Sequence, residues 1–157
     1  PAYAKELKEY IPKIGIIPLY TNLDFISLLK KSSEDPIMQK IQDEYFDKKF
    51  WTPAVNWADY NAFTQPLSML VIYDSFIHSG RIPLFLRKRF GAKVPADGGF
   101  EDTWIISYVD IRHQWLKYHK NPILRKTIYR TKCFKDLIEN NNWNLETPFF
   151  ANGIKII

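Results

Sequence analysis

Two stretches carry the strongest helical pattern: PLSMLVIYDSFIHSG at residues 66–80 and EDTWIISYVDIRHQWLK at residues 101–117. In the first, apolar residues recur at intervals of three and four from Leu67 onward, and the pattern ends at Gly80. In the second, the same spacing continues to about His119. This period predicts amphipathic helices, and a glycine directly after the pattern is a common helix end. The two stretches therefore predict a helical core.

The rest of the chain is also helical in pattern. Further helices are predicted for Tyr3–Lys13, Leu23–Lys31, Pro36–Trp51, a short segment after Pro83, and Ile123–Glu139 with a break near Tyr129, and a strand is predicted for Ile154–Ile157. No internal repeat or linker interrupts the 157 residues. We therefore expect a single domain over residues 1–157, mainly α, with little or no β structure.

Two charged residues interrupt the apolar faces of the helices predicted at residues 66–80 and 101–117. Asp74 lies in the stripe of the first helix, and Arg112 lies on the apolar face of the second. An unpartnered buried charge is costly, so the pattern predicts that they pair with bidentate geometry across a helix–helix contact. The alternative is that one or both reach solvent along the surface. A second cation near Asp74 is also expected, with Lys93 and Arg130 as candidates.

The loop ADGGFED at residues 96–102 is a second concentration of unusual residues. Its paired glycines allow a sharp turn and close approach of a ligand. Glu101 and Asp102 also sit where a helix begins, and acidic residues there stabilise the helix dipole. Both interpretations of the loop, ligand contact and helix stabilisation, stay open at this point.

Several classes of site are excluded by composition and spacing. Cys133 is the one cysteine, and the three histidines lack carboxylates at metal-ligand spacing, so neither a disulfide, a metal site nor a cofactor is expected. No apolar run is long enough for a membrane span. The net charge of +5 favours anionic partners, but the basic residues are spread over several helices, which is not typical of nucleic-acid binding.

Six segments together resemble the chitosanases of glycoside hydrolase family 46. They are Gln39–Gln42, Phe50–Val55, Ile72–Gly80 (the family's Tyr-Asp…His-Gly stretch with an extra Ser79), Pro95–Glu101 (Pro-Ala-x-Gly-Gly-x-Glu), Tyr108–Arg112 (aromatic-x-Asp-x-Arg) and Asn144–Phe149 (Asn-Leu-x-x-Pro). No one segment is specific, but their order and spacing extend over nearly the whole chain.

The resemblance implies a lysozyme-like, two-lobed helical fold and endo-acting, inverting cleavage of β-1,4-linked glucosamine polymers. It places the catalytic acid and base upstream of residue 1, so no catalytic residue is assigned here and residues 1–157 alone are expected to be inactive. It also implies a buried ion network that contains Asp74, Arg112 and Lys93, where Lys93 replaces the family's arginine. Glu101 matches an acid that contacts a sugar amine, and His78 matches a histidine near the cleft.

The substrate is less defined than the class of enzyme. Chitosan is a polycation and needs an acidic cleft on a protein of net charge +5, whereas anionic peptidoglycan suits a basic surface. A peptidoglycan-cleaving muramidase is therefore a close alternative, and a non-catalytic glycan-binding module is another. The expected partners are an amino-sugar polysaccharide and the missing N-terminal segment, and the expected location is secreted or periplasmic.

Overall fold

The computed structural model describes all residues from Pro1 to Ile157. They form two compact units, Pro1–Lys49 and Phe50–Ile157, which we call the N-terminal and C-terminal units. The expectation of a single domain over residues 1–157 stays a prediction. No helix has both the length and the apolar character that a membrane crossing requires.

Nine α-helices and one small sheet make up the regular structure. The helices are α1 Ala4–Lys8, α2 Leu23–Ser32, α3 Pro36–Phe46, α4 Thr52–Tyr60, α5 Pro66–Ser79, α6 Leu84–Arg87, α7 Glu101–Lys117, α8 Pro122–Arg125 and α9 Tyr129–Glu139. Short 3-10 turns and one π-helical turn, Asp47–Trp51, connect them. The strands β1 Phe149–Ala151 and β2 Ile154–Ile156 pair antiparallel, with Phe149 opposite Ile156. The mainly α prediction is confirmed.

The helix ends follow local chemistry in the N-terminal unit. The side chain of Asn22 caps α2 by accepting from the Phe25 backbone N–H at 2.8 Å, and Asp35 caps α3 by accepting from Ile37 at 2.9 Å. Each cap satisfies a donor that the first helical turn leaves free. The observed helix α1 is shorter than the predicted helix Tyr3–Lys13. Pro12 lacks the N–H that would continue the helical hydrogen bonds, and the chain forms a 3-10 segment there.

The C-terminal unit contains the large hydrophobic core. Helices α5 and α7 run through it, as their apolar patterns predicted, and α9 packs against α7. Trp104 on α7 is fully buried, and its ring contacts four other aromatic rings, those of Trp57, Phe63, Phe90 and Tyr108. The predicted break before Tyr129 is present as a 3-10 turn between α8 and α9. This turn sets the start of α9, which carries Arg130.

Candidate functional site

Asp74 and Arg112 form an ion pair inside the C-terminal unit. The Oδ2 atom of Asp74 on α5 lies 2.7 Å from Nη2 of Arg112 on α7. Asp74 is 8% exposed and Arg112 is fully buried. The contact predicted from the two interrupted stripes is therefore present. Its bidentate geometry is not, because the contact involves one guanidinium nitrogen, and Nε and Nη1 of Arg112 have no hydrogen-bond partner.

Arg130 is the second cation of this cluster, and Lys93 is not. The Nε atom of Arg130 donates to Oδ1 of Asp74 at 2.7 Å, and its Nη2 also contacts that oxygen. Arg130 reaches Asp74 because α9 packs against both α5 and α7. The placement of Lys93 in the buried network was wrong, since this residue lies exposed on the loop before the Pro95–Asp97 turn. We call Asp74, Arg112 and Arg130 the ion cluster.

The charges in the cluster support one another. Burial disfavours the charged form of Arg130, but the hydrogen bond and the negative charge of Asp74 outweigh it, and the pKa of Arg130 rises above its ordinary value. Two guanidinium groups thus share one carboxylate. Both oxygens of Asp74 contact guanidinium nitrogens, so this residue cannot deliver a proton to a glycosidic oxygen.

His78 connects the cluster to the surface of the unit. Its Nδ1 lies 3.2 Å from Nη2 of Arg112, and its ring is half-buried at the end of α5. Burial lowers the pKa of His78, and the positive charges of Arg112 and Arg130 lower it further, while Asp74 opposes the shift. A neutral ring can accept a hydrogen bond from Arg112 at Nδ1 and leaves Nε2 as its donor.

An open pocket of about 460 Å³ lies beside His78. We call it the His78 pocket, and its lining is His78, Ser79, Arg81, Pro83, Leu84, Phe85, Trp115 and Leu124. The rings of Phe85 and Trp115 meet edge to face with centroids 5.4 Å apart. Phe85 is exposed and Trp115 is partly exposed. Accessible aromatic rings next to polar groups match the mixed surface of a sugar, whose C–H faces are apolar. The sequence interpretation missed these residues, because Phe85 and Trp115 come from separate helices and share no motif.

Glu101 is held by the chain itself in this structure. Its carboxylate accepts from the backbone N–H of Thr64 at 3.0 and 3.1 Å, from the Thr64 hydroxyl at 3.1 Å and from the Gln65 N–H at 2.8 Å. These donors precede α5, so Glu101 ties the start of α7 to the start of α5. Its predicted contact with a sugar amine stays a prediction.

The paired glycines of the same loop are required by the local backbone conformation. Gly98 is left-handed with φ 80°, and a Cβ on Gly99 would collide with the carbonyl of Lys93. Only glycine fits at this crossing of two backbone segments. The close approach that the sequence suggested is therefore made by the chain, which accounts for the Gly-Gly pair without a ligand.

A further buried contact was not foreseen from the sequence. The hydroxyls of Ser75 on α5 and Tyr108 on α7 lie 2.5 Å apart, and Ser75 also donates to the carbonyl of Arg81 at 3.0 Å. Burial raises the pKa of Tyr108, so its phenol stays protonated.

The side chains contain no group of three histidine, cysteine or acidic residues that could hold a metal ion.

Comparison with known proteins identifies the family of this chain. The model of glycosyl hydrolase family 46 matches residues 4–149. A curated chitosanase of Bacillus subtilis strain 168 is 26% identical over 166 residues, which cover 94% of this chain and 60% of the relative. The chain thus spans 60% of the length of the curated relative that it matches.

Two solved structures share the fold. The native chitosanase of Bacillus subtilis MY002 superposes with a TM-score of 0.77 at 23% identity, covering 96% of this chain and 72% of that one. The family 46 chitosanase of Gynuella sunshinyii in complex with chitotetraose gives a TM-score of 0.78 at 20% identity, with 96% and 70% covered. The expected fold class, mainly α-helical and lysozyme-like, is confirmed.

Proposed function

The chain belongs to glycosyl hydrolase family 46, and we propose that it is part of an enzyme that cleaves a β-1,4-linked glucosamine polymer of the chitosan type. The proposed reaction is endo-acting and inverting. The similarity to proteins named as chitosanases, one of them bound to chitotetraose, supports the substrate class. In such a protein, secreted or periplasmic, the C-terminal unit would serve as the glycan-binding body.

The His78 pocket supports the glycan-binding part of the proposal. Its aromatic wall of Phe85 and Trp115 can stack on the apolar face of a sugar, and His78 can donate to a hydroxyl from Nε2 while Nδ1 accepts from Arg112. The hydrogen bond from Arg112 of the ion cluster orients the His78 ring. An aromatic surface beside an oriented donor is typical of carbohydrate sites.

We propose that the catalytic acid and base lie outside residues 1–157. An inverting glycosidase needs two carboxyl groups about 6.5–9.5 Å apart, one to protonate the leaving oxygen and one to activate water. Of the two acids that the resemblance connects with the site, Asp74 is engaged by two arginines and Glu101 by three protein donors. Neither is free to do this chemistry. The N-terminal segment that the resemblance implies is then the proposed partner that supplies the two carboxyl groups.

A direct assay tests the catalytic part of the proposal. Residues 1–157, shown by intact mass to be without a companion chain, should release no reducing ends from chitosan or peptidoglycan, whereas a Bacillus subtilis chitosanase assayed in parallel should release them from chitosan. Oligosaccharide release by residues 1–157 alone would show that the acid and base lie within this chain.

A binding experiment tests the pocket separately from catalysis. Phe85→Ala should weaken binding of chitotetraose about five- to tenfold, because one stacked ring is worth on the order of 1 kcal/mol. Tyr60→Ala is the control, since it removes a ring that is 84% exposed on α4, outside the pocket. Equal affinities of the two variants would remove the pocket from the proposed site.

One observation favours a second candidate, cleavage or binding of peptidoglycan. The lining of the His78 pocket includes Arg81 and no carboxylate, and the net charge is +5, so an anionic glycan would be attracted. Tighter binding of a muropeptide-containing oligosaccharide than of chitotetraose, weakened by Arg81→Gln, would put the muramidase alternative first. Binding without any cleavage by a longer protein would favour the non-catalytic glycan-binding module.

A further inference from the structure

A large cavity lies away from the ion cluster. It has a volume of about 900 Å³ and lies between the end of α9 and the segment that follows it, within residues 136–150. We call it the tail cavity. No residue of the ion cluster or of the His78 pocket lines it. A volume of this size accommodates more than one sugar unit.

The lining of the tail cavity is acidic and amide-rich. It includes the carboxylates of Asp136 and Glu146, the amides of Asn141 and Asn144, and the rings of Phe149 and Phe150, and it contains no lysine or arginine. The chain has 22 basic residues, yet neither carboxylate belongs to any of its four ion pairs. The tail cavity is therefore an acidic surface at which a cation can approach an otherwise basic protein.

The shape of the cavity does not depend on those polar groups. The side chain of Asn142 closes the loop by donating to the Glu146 carbonyl at 2.9 Å and accepting from the Glu146 N–H at 2.7 Å. The carbonyl of Trp143 accepts from the Leu67 N–H at 2.9 Å, which ties the loop to α5. The backbone is therefore fixed, while the carboxylates of Asp136 and Glu146 remain free for a ligand.

We propose that the tail cavity is a second binding site for a deacetylated amino sugar. The ammonium group of a glucosamine unit would contact the carboxylates of Asp136 and Glu146, its hydroxyls would bond to the amides of Asn141 and Asn144, and its C–H face would lie against Phe150. The charged hydrogen bonds give such a site its selectivity for the unacetylated amine, and the apolar ring contact adds affinity. This inference rests on the proposed function for the choice of polymer. It adds a second site, separate from the His78 pocket, at which the polysaccharide binds.

Backbone amide NMR of residues 1–157 tests the inference. During titration with chitotetraose, signals from residues 136–150 should shift, and the fully acetylated tetramer should shift them much less because it carries no ammonium. The double variant Asp136→Asn with Glu146→Gln should weaken the tail-cavity response about tenfold. The response at His78 and Trp115 should stay as it is in the parent protein.

Matched variants separate this site from a general charge effect. Asp59→Asn with Glu139→Gln removes the same two charges from exposed positions that do not line the cavity, and it should leave the tail response unchanged. Equal weakening by both double variants would overturn the proposal, as would equal response to both tetramers. Shifts at His78 and Trp115 without any at residues 136–150 would refute the second site and leave the proposed function standing. Shifts at neither place would refute both.

Discussion

The two units of this chain are stabilised in different ways. In residues 1–49 only Leu19 and Ser32 are buried, and the helices are held by side-chain caps at Asn22 and Asp35 and by one close ring pair, Tyr10 with Phe25 at 4.9 Å. In residues 50–157 a continuous core surrounds Trp104, and a buried ion cluster crosses three helices.

This difference determines which interactions each unit can lose. Local caps stabilise single helices by about 1 kcal/mol each, and their loss stays local. A buried cluster links helices, so its loss is felt by the whole unit. The N-terminal unit also leaves large apolar side chains in contact with solvent, among them Ile14 at 65%, Ile16 at 78% and Leu23 at 80% exposure. Substitutions in the C-terminal unit should therefore have the larger effects.

The largest effect is expected for Asp74→Ala. It leaves Arg112 fully buried and Arg130 half-buried without a counter-charge, which should lower the free energy of unfolding of the C-terminal unit by about 3–5 kcal/mol. Urea unfolding followed by Trp fluorescence measures this, since Trp104 is in the core. Asp59→Ala on α4, exposed and without an ion pair, is the control and should change stability by less than about 0.5 kcal/mol. A loss of under 1 kcal/mol for Asp74→Ala would mean that the cluster does not join the helices.

The ion cluster also shows how far the sequence could lead. A charge inside an apolar stripe is visible from helical periodicity alone, so Asp74 and Arg112 and the two helices that carry them were predictable. The choice of Arg130 over Lys93 was not, because it depends on how α9 packs against α5 and α7. The single-nitrogen contact of Arg112 could not be predicted either, because it depends on the tertiary packing that brings His78 to the same nitrogen.

Sites formed by the backbone were harder to foresee. Glu101 was noticed as an acid at a helix start, but its partners Thr64 and Gln65 lie 37 and 36 positions away in the chain. The tail cavity depends on left-handed backbone at Asn141 and Leu145, and leucine gives no local signal for that conformation. Spacing and composition identify which residues are unusual, whereas tertiary packing decides what they contact.

A smaller effect is expected for Glu101→Gln. The amide keeps one acceptor oxygen but turns an NH₂ group toward the N–H donors of Thr64 and Gln65, which should cost about 1–2 kcal/mol of unfolding free energy in the C-terminal unit. Glu139→Gln, an exposed glutamate in the last turn of α9, is the matched control. If Glu101 also contacts a sugar amine, the variant will lose more affinity for chitotetraose than for the acetylated tetramer. Unchanged stability would show that the three donors find other acceptors.

The smallest effect concerns pH, and the two units should respond in different ranges. All three histidines lie in the C-terminal unit. Burial lowers the pKa of His78 below 6.5, assisted by Arg112 and Arg130, and burial lowers the pKa of His113, assisted by Lys135. The unfolded chain then binds protons more readily than the folded one, so stability is intact above pH 6.5 and is lost as pH falls through that value toward the lower folded pKa.

In the N-terminal unit the titrating group is Asp35, whose pKa is lowered from 3.8 by hydrogen bonds from the Ala2 and Ile37 backbone. Its contribution is present above 3.8 and is lost as pH falls through the lower folded value. Amide protection factors should therefore begin to fall in the C-terminal unit between about pH 7 and 5 and in the N-terminal unit only below about pH 4. His78→Asn should reduce the first change, because the Asn oxygen can still accept from Arg112 but does not titrate. Full retention of that change in the variant would assign it to His113, and a common midpoint for both units would contradict their separate stabilisation.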